Sequence, residues 1–464
     1  MRMIVIKGAV SALMRSFITI CALFLLFPLL LIGCFKTEEP RSNINSLQED
    51  TPSVPLSMWI LSNNPKQYQD LLKVLQPYLD LNPHISLEIT VKPWASAWSD
   101  ILKAVADGEG PDILQLGTTW VPAIAAMNGI EDITELVDDI GGASAFIPAS
   151  WQTTMIEGKP SVYAVPWFVD ARALYYRTDA FEQAGIDPKQ AFLTWESFRE
   201  ALRQVNGTVI DGTSMSALAV PGKNDWNVAH NFFPWIWAAG GEVLTPNHKS
   251  ASFNSEAAVE AVMYFTGLVE EGLASRESLN LNNNQIESEF AAGKSAVILS
   301  GPWMAAALEA PDETGGYSHT TAAKHYAIAT LPAGPKMKAT FVGGSNLTVF
   351  KHSQYKQEAW NMIRYLSEDE AQLAYAQITG FLPAKLDAFH AEEIQHDPNM
   401  EAFKEAMMHG KSYPSIPQWG ATETALVKHF SRIWDLITDH EYERAKVLEV
   451  LDQAVAEVDQ LIQP

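Results

Sequence analysis

An α/β fold is predicted by two observations. From residue 56 onward, short aliphatic runs alternate with longer segments of helical period in the order βαβαβ, the order of a mostly parallel sheet covered by helices. Hydrophobic residues make up 47% of the 464-residue chain, an ordinary globular content that supplies a large core.

The first strand is the apolar run 56–61. Residues 65–81 follow with Tyr68, Leu71, Leu72, Leu75 and Leu79 on one face, which is helical spacing. Residues 87–91 alternate as a strand, 97–106 are helical up to Asp107-Gly108, and 113–116 form a third strand. Short strands are expected at 163–165 and 173–176. Thr194 caps a helix through Leu202 with Glu196 in its first turn, and Asn254 caps a helix over 256–271. A helix over 286–292 stops at Gly293, and 296–299 is a buried strand. A strand at 347–350 and a helix at 358–366 follow, and 387–464 is mostly helical.

The N-terminus has a different logic. Arg2, Lys7 and Arg15 form a basic segment, 17–32 is almost wholly apolar, and Gly33 precedes Cys34. That order is an export signal, and Leu31-Ile32-Gly33-Cys34 resembles a bacterial lipoprotein lipobox. Cleavage there makes residues 1–33 a signal peptide and frees the Cys34 thiol for lipid. Two or three acyl chains then hold the protein firmly to a membrane. A single spanning helix is the alternative, but the run is short for the roughly 20 residues it needs. Residues 34–55 are polar and rich in Pro, Ser, Asn, Glu and Thr, which reads as a solvated tether. Phe35 leaves open which membrane is gripped.

The net charge is −23, and losing the leader's three cations makes it more negative. Such a surface repels phosphate backbones, which excludes nucleic acid as a partner. The only other cysteine, Cys21, lies in the leader, so the mature chain has neither an internal disulfide nor a cysteine zinc site. Catalytic signatures are scarce. Gly293-Lys294-Ser295 looks like the tail of a phosphate loop, but the required first glycine is Ser288 and the order is helix then strand. Gly108-x-Gly110 lacks a third glycine and introduces a strand rather than following one. A glycosidase needs two opposed carboxylates, and nothing nominates a pair among 55 acidic residues.

Aromatics, by contrast, cluster just past strands. Trp120 ends Leu116-Gly117-Thr118-Thr119-Trp120, Trp167 and Phe168 follow Val165-Pro166 ahead of Asp170, and Trp303 follows Ser300-Gly301-Pro302. Ligands of open α/β sheets bind outside the carboxyl ends of strands. Aromatic faces there can stack on a sugar ring while Asn, Asp and Thr bond its hydroxyls. Each aromatic taken alone is more often core. Together, at loop positions, they point to a carbohydrate site.

Across about 56–435 the chain resembles the extracellular sugar-binding proteins of ATP-binding-cassette importers, the maltose-binding-protein-like group. The resemblance rests on Gly110-Pro111-Asp112-Ile113, Tyr163-Ala164-Val165-Pro166 with Asp170, Tyr175-Tyr176-Arg177-Thr178-Asp179 and Thr194-Trp195-Glu196. It continues through Phe290-Ala291-Ala292-Gly293-Lys294-Ser295-Ala296, Gly301-Pro302-Trp303, Leu331-Pro332-Ala333-Gly334 and Gly380-Phe381-Leu382-Pro383.

The resemblance implies a periplasmic-binding-protein-like fold of type II, two α/β lobes with the ligand in the cleft between them. Lobe one would comprise 56–165 and 335–382, and lobe two 169–330 and 383–464, with hinges near 165–169, 330–335 and 382–385. It implies ligand contacts at Asn63 and Asn64 after the first strand, at Thr118, Thr119 and Trp120, and at Asp170. Trp303 would be the stacking residue, and Gly343, Gly344 and Asn346 a return loop near the cleft. His230 and Trp419 fall near other contact regions, Trp167 and Phe168 flank Asp170, and Arg172 either orients that carboxylate or simply pairs with it. The implied protein is a monomeric receptor with no cofactor and no catalytic residue. It would sandwich a mono- or oligosaccharide between Trp120 and Trp303, close over it, and present the closed form to a permease. Receptors of this shape for non-sugar solutes or for chemotaxis are the alternatives, with an envelope glycoside hydrolase behind them.

Overall fold

The computed structural model describes residues 53–63, 66–222 and 226–463. Cys34, the tether up to residue 52 and Asn64 lie outside the described residues. The first strand, β1 (Val54–Leu61), starts inside the expected tether, because all eight of its residues pair in parallel with β2 (Ile85–Lys92). On its other side β1 pairs in parallel with β3 (Ile113–Gly117). Helices Gln67–Leu81 and Trp94–Asp107 make the two connections, as the βαβαβ pattern requires. The second helix stops at Gly108, whose φ of +69° is a left-handed conformation suited to glycine.

β4 (Val165–Ala171) and β5 (Ala173–Arg177) follow, then a hairpin of β6 (Val209–Ile210) and β7 (Thr213–Ser214). Next come β8 (Ser216–Ala219), β9 (Ser295–Ser300), β10 (Tyr326–Ala329) and β11 (Thr340–Val349). The last are β12 (Leu382–Pro383) and β13 (Gly410–Lys411). They build two main sheets. One has the order β12-β4-β11-β3-β1-β2, with β13 on β11, and the other β10-β5-β9-β8. The expected mostly parallel sheet is thus only partly parallel. β11 runs antiparallel to β3 and β4, and β12 antiparallel to β4. β4 and β11 carry the chain between the two sheets rather than closing βα units, so no helical crossover fixes their direction.

Among the described residues the chain passes between the two sheets twice, and once more from the first sheet to the helices over the second. Arg172 alone separates β4 from β5, residues 330–339 join β10 to β11, and residues 412–418 lead from β13 to helix Trp419–Thr438. β4 therefore runs past the crossing expected near 165–169, and residues 382–383 are still paired to β4. Helix Pro398–Met408 buries Met400, Phe403 and Ala406 in a core shared with β4 and β11. Helices Trp419–Thr438 and Arg444–Ile462 pack with Asn227–Ala238 and Glu256–Glu270 over the second sheet. β5 shows how that sheet is covered on both faces. Leu174 and Tyr176 enter one core while Ala173 and Tyr175 enter the other.

Local expectations shift by a few residues. Ser255, not Asn254, caps the helix after it, accepting from the Ala258 backbone N–H. The helix expected at 286–292 begins at Asn283 and is capped by a reciprocal Asn282–Gln285 box. The strand expected at 347–350 is the last part of the ten-residue β11, which includes Gly343 and Gly344 rather than following a glycine loop. Likewise Trp167 and Phe168 lie inside β4, not in a loop beyond it. No described helix is long and apolar enough to cross a membrane.

Candidate functional site

A cleft opens where the carboxyl ends of β1 and β3 meet the start of helix Asn227–Ala238. Ser62 and Asn63 come from the end of β1, Trp94 from just past β2, and Gly117, Thr118 and Thr119 from the end of β3. Asp170 and Arg172 come from the β4–β5 crossing, and Phe341 and Gly344 from β11. Facing them are Asn227 and His230, Asn283 and Asn284 at a helix start, and Trp303 just past β9. A second hollow adjoins the first and shares Ser62, Trp94, Asn227, Asn283 and Asn284. The two hollows share one wall, and both are open to solvent.

The charges in it are paired. Arg172 Nη1 donates to Asp170 Oδ1 at 2.9 Å and Nη2 to Asn227 Oδ1 at 2.7 Å. The guanidinium carbon lies 4.8 Å from the Trp303 ring centroid and 5.7 Å from that of Phe341, a cation–π geometry. Burial raises the Asp170 pKa, and Arg172 opposes that rise. Asp170 and Arg172 are two apart across the β4–β5 crossing, and the pair both orients and neutralises the carboxylate.

Two further carboxylates stand behind the walls. Glu287, 6% exposed, accepts at Oε1 from Ser300 (2.5 Å), Asn283 (2.6 Å) and the Trp303 indole (2.7 Å). Burial pushes its pKa up to about 7 against those hydrogen bonds. Glu423, 0% exposed, accepts from Thr119 Oγ1 at 2.8 Å, and its other oxygen lies 3.4 Å from His230 Nε2. Burial pushes the Glu423 pKa up to about 8. His230 stacks on Phe341 with centroids 4.0 Å apart and shares a 3.0 Å hydrogen bond between Nδ1 and the Tyr413 hydroxyl. Burial, followed by Arg172, holds its pKa well below 6.5, so the ring is neutral.

Asn63 accepts from the Trp94 indole at 2.9 Å, while its own Nδ2 is buried without a hydrogen-bond partner among the described residues. Gly344 has φ +137°, and a Cβ there would sit 2.2 Å from the Phe168 carbonyl oxygen. Its own carbonyl accepts from the Thr118 N–H at 3.2 Å. Bare backbone is therefore obligatory at that point of the cleft wall.

Of the residues nominated from sequence, the structure brings Asn63, Thr118, Thr119, Asp170, Arg172, His230, Trp303 and Gly344 into the cleft. Gly343 lies just behind, where a Cβ would meet the Phe341 ring at 2.8 Å. Trp120 is not a sugar platform. The chain turns into helix Val121–Ala126 at this residue and drives the ring, 0% exposed, among Trp94, Trp98 and Trp226 at 5.3–5.5 Å. Trp167 and Phe168 are core, stacked on Tyr375 and Phe381 respectively at 4.5 and 4.0 Å. Asn346 is 0% exposed and donates to Thr153, and Trp419, also 0% exposed, stacks on Tyr413 at 4.5 Å.

Sequence reasoning passed over Ser62, Trp94, Asn227, Asn283, Asn284 and Phe341. Two had a signal. Trp94 stands directly past a strand, as Trp303 does, in the gap between the strand expected at 87–91 and the helix expected at 97–106. Asn282-Asn283-Asn284 is a run of three amides at a helix start.

A model of the bacterial extracellular solute-binding protein family matches residues 73–402. The diacetylchitobiose-binding protein DasA of Streptomyces coelicolor is 25% identical over 378 residues, covering 79% of this chain and 81% of that protein. Among solved structures, a solute-binding protein of an ABC transporter from Thermotoga lettingae, bound with α-D-tagatose, superposes with a TM-score of 0.79 at 22% identity. It covers 89% of this chain and 100% of its own. The maltose-bound MalE3 of T. maritima gives 0.77 at 21% identity, covering 88% and 100%.

Proposed function

The chain belongs to the bacterial extracellular solute-binding protein family, and on that premise we propose that it is the carbohydrate receptor of an ATP-binding-cassette importer. One observation carries the sugar reading. Two half-buried indoles, Trp94 and Trp303, line a single groove otherwise walled by Asn63, Asn227, Asn283, Asn284, Thr118 and the Asp170–Arg172 pair. Indole faces pack on the C–H face of a pyranose, and amides and a carboxylate fix its hydroxyls. The adjoining hollow continues the same wall of amides past Trp94. Relatives whose names carry diacetylchitobiose or maltose support the same reading.

Arg172, 330–339 and 412–418 are the hinge segments, since each joins one main sheet to elements of the other. The lobes rotate about them, and the permease reads the closed form, which the sugar stabilises only through its higher affinity for that form. No bond is made or broken, no cofactor takes part, and the receptor acts as a monomer. Cys34 carries the lipid that keeps it beside its transporter in the cell envelope.

A panel of maltose, maltotriose, diacetylchitobiose and galactobiose, measured by thermal shift and calorimetry with product analysis, tests this. Saturable binding without products is the expected result, because a ligand that binds only the native state raises its melting temperature. Cleavage products, or no binding across the panel, would reject it.

A further inference from the structure

The indole ring of Trp303 is clamped. Its N–H donates to Glu287, and the Arg172 guanidinium lies 4.8 Å from its centroid. It packs so closely on Gly301 that a Cβ there would fall 2.0 Å from a ring carbon. The Glu287 oxygen that takes the indole also takes Asn283 Nδ2 and Ser300 Oγ. These donors come from three places: the first turn of helix Asn283–Ala291, the end of β9, and the turn after it. Two of them, Asn283 and Trp303, are walls of the cleft. Glu287 does not line the cleft itself.

We propose that Glu287 is a positioning residue, a single buried carboxylate that holds the stacking indole of Trp303 and the amide of Asn283 in one fixed relation before the ligand arrives. Three short bonds to one buried oxygen are expensive to break and directional. A ring held this way does not have to be ordered when the sugar binds, so the ordering cost is met in folding rather than in binding. This rests on the reading of Trp303 as a stacking surface, and the experiment separates the two.

The purified full-length protein is compared with Glu287→Leu, Glu287→Gln, Trp303→Ala and Trp303→Phe, the last serving to assign the Trp303 indole signal in ¹⁵N-TROSY spectra. Glutamine keeps a carbonyl oxygen for the indole N–H, and leucine does not. The expected result is that Glu287→Gln leaves the Trp303 indole signal downfield and slow to exchange. Glu287→Leu moves it upfield and speeds its exchange by about tenfold or more. With the tightest-binding sugar of the panel above, Glu287→Leu and Trp303→Ala each weaken binding about tenfold, and Glu287→Gln restores it to within about threefold. An unmoved Trp303 signal in Glu287→Leu overturns the proposal. So does wild-type affinity in Glu287→Leu alongside weakened binding in Trp303→Ala. Wild-type affinity in Trp303→Ala instead removes the stacking reading beneath it, and the spectra judge the clamp separately.

Discussion

Replacing Glu423 with glutamine should flatten the pH dependence of stability in a calculable way. Glu423 is 0% exposed and titrates at about 8, against 4.5 for an ordinary glutamate. Near neutrality the folded state therefore holds a proton that the unfolded chain has released. A folded pKa raised in this way gives stability that is complete below about pH 4.5 and is lost as pH climbs through about 8. The slope is about 1.4 kcal/mol per pH unit. His230 works in the opposite direction. Its folded pKa lies well below 6.5, so it costs stability only as pH falls below the unfolded value. The two trends offset each other below about 6.5, and above that only the carboxyl acts. Between about pH 6.5 and 8 the wild type should lose about 2 kcal/mol through Glu423 alone. Glu287 adds its own decline up to about 7, but it does so in both proteins and cancels in the difference. Glutamine keeps an acceptor for Thr119 Oγ1 and does not titrate. Urea unfolding followed by circular dichroism at about pH 6.5, 7.2 and 8 gives the comparison. The wild-type stability should fall relative to the variant's by about 2 kcal/mol across that range. Parallel curves would refute the claim that Glu423 is buried as a neutral acid.

Trp94→Ala and Trp120→Ala should separate binding from packing. The first weakens sugar binding by about 1–3 kcal/mol and costs less stability than the second, which loses about 3–5 kcal/mol in urea unfolding, as a filled core site does. Gly344→Ala combines a left-handed φ of +137° with a contact at 2.2 Å to the Phe168 carbonyl. It should lower stability by about 3 kcal/mol or more in the same urea assay, where Gly207→Ala, with φ +79° and open space around it, costs less. Cys34→Ala should abolish labelling by radioactive palmitate, since Cys34 is the one thiol left after cleavage to carry the lipid.

The parallel half of the first sheet was legible because β1 and β2 are each followed by a helix with a visible apolar stripe, such as Leu71 and Leu75. β11 was not. Its glycine pair at 343–344 reads as a loop, and only pairing on both sides, with β3 and β4, keeps it extended. The aromatics divide for a similar reason. Trp120 and Trp303 both end strand-to-helix turns, yet one ring folds back under Trp94 while the other stays at the cleft. Sequence position near a strand end fixes neighbourhood, not direction. Glu287 and Glu423 carried no signal at all among 55 acidic residues, since what sets them apart is burial and the donors gathered from distant segments.

By itself the sequence determined the class of fold, the family resemblance, and the sort of chemistry available: amides, indoles, one Asp–Arg couple and no nucleophile or metal set by motif. These follow from local periodicity and residue type, which the chain carries without folding. Tertiary structure decided which indoles line the cleft, where the chain crosses between sheets, and which two carboxylates stand behind it. Those depend on contacts between segments tens to hundreds of residues apart, such as Thr119 with Glu423, whose separation of 304 residues leaves no trace in any local pattern.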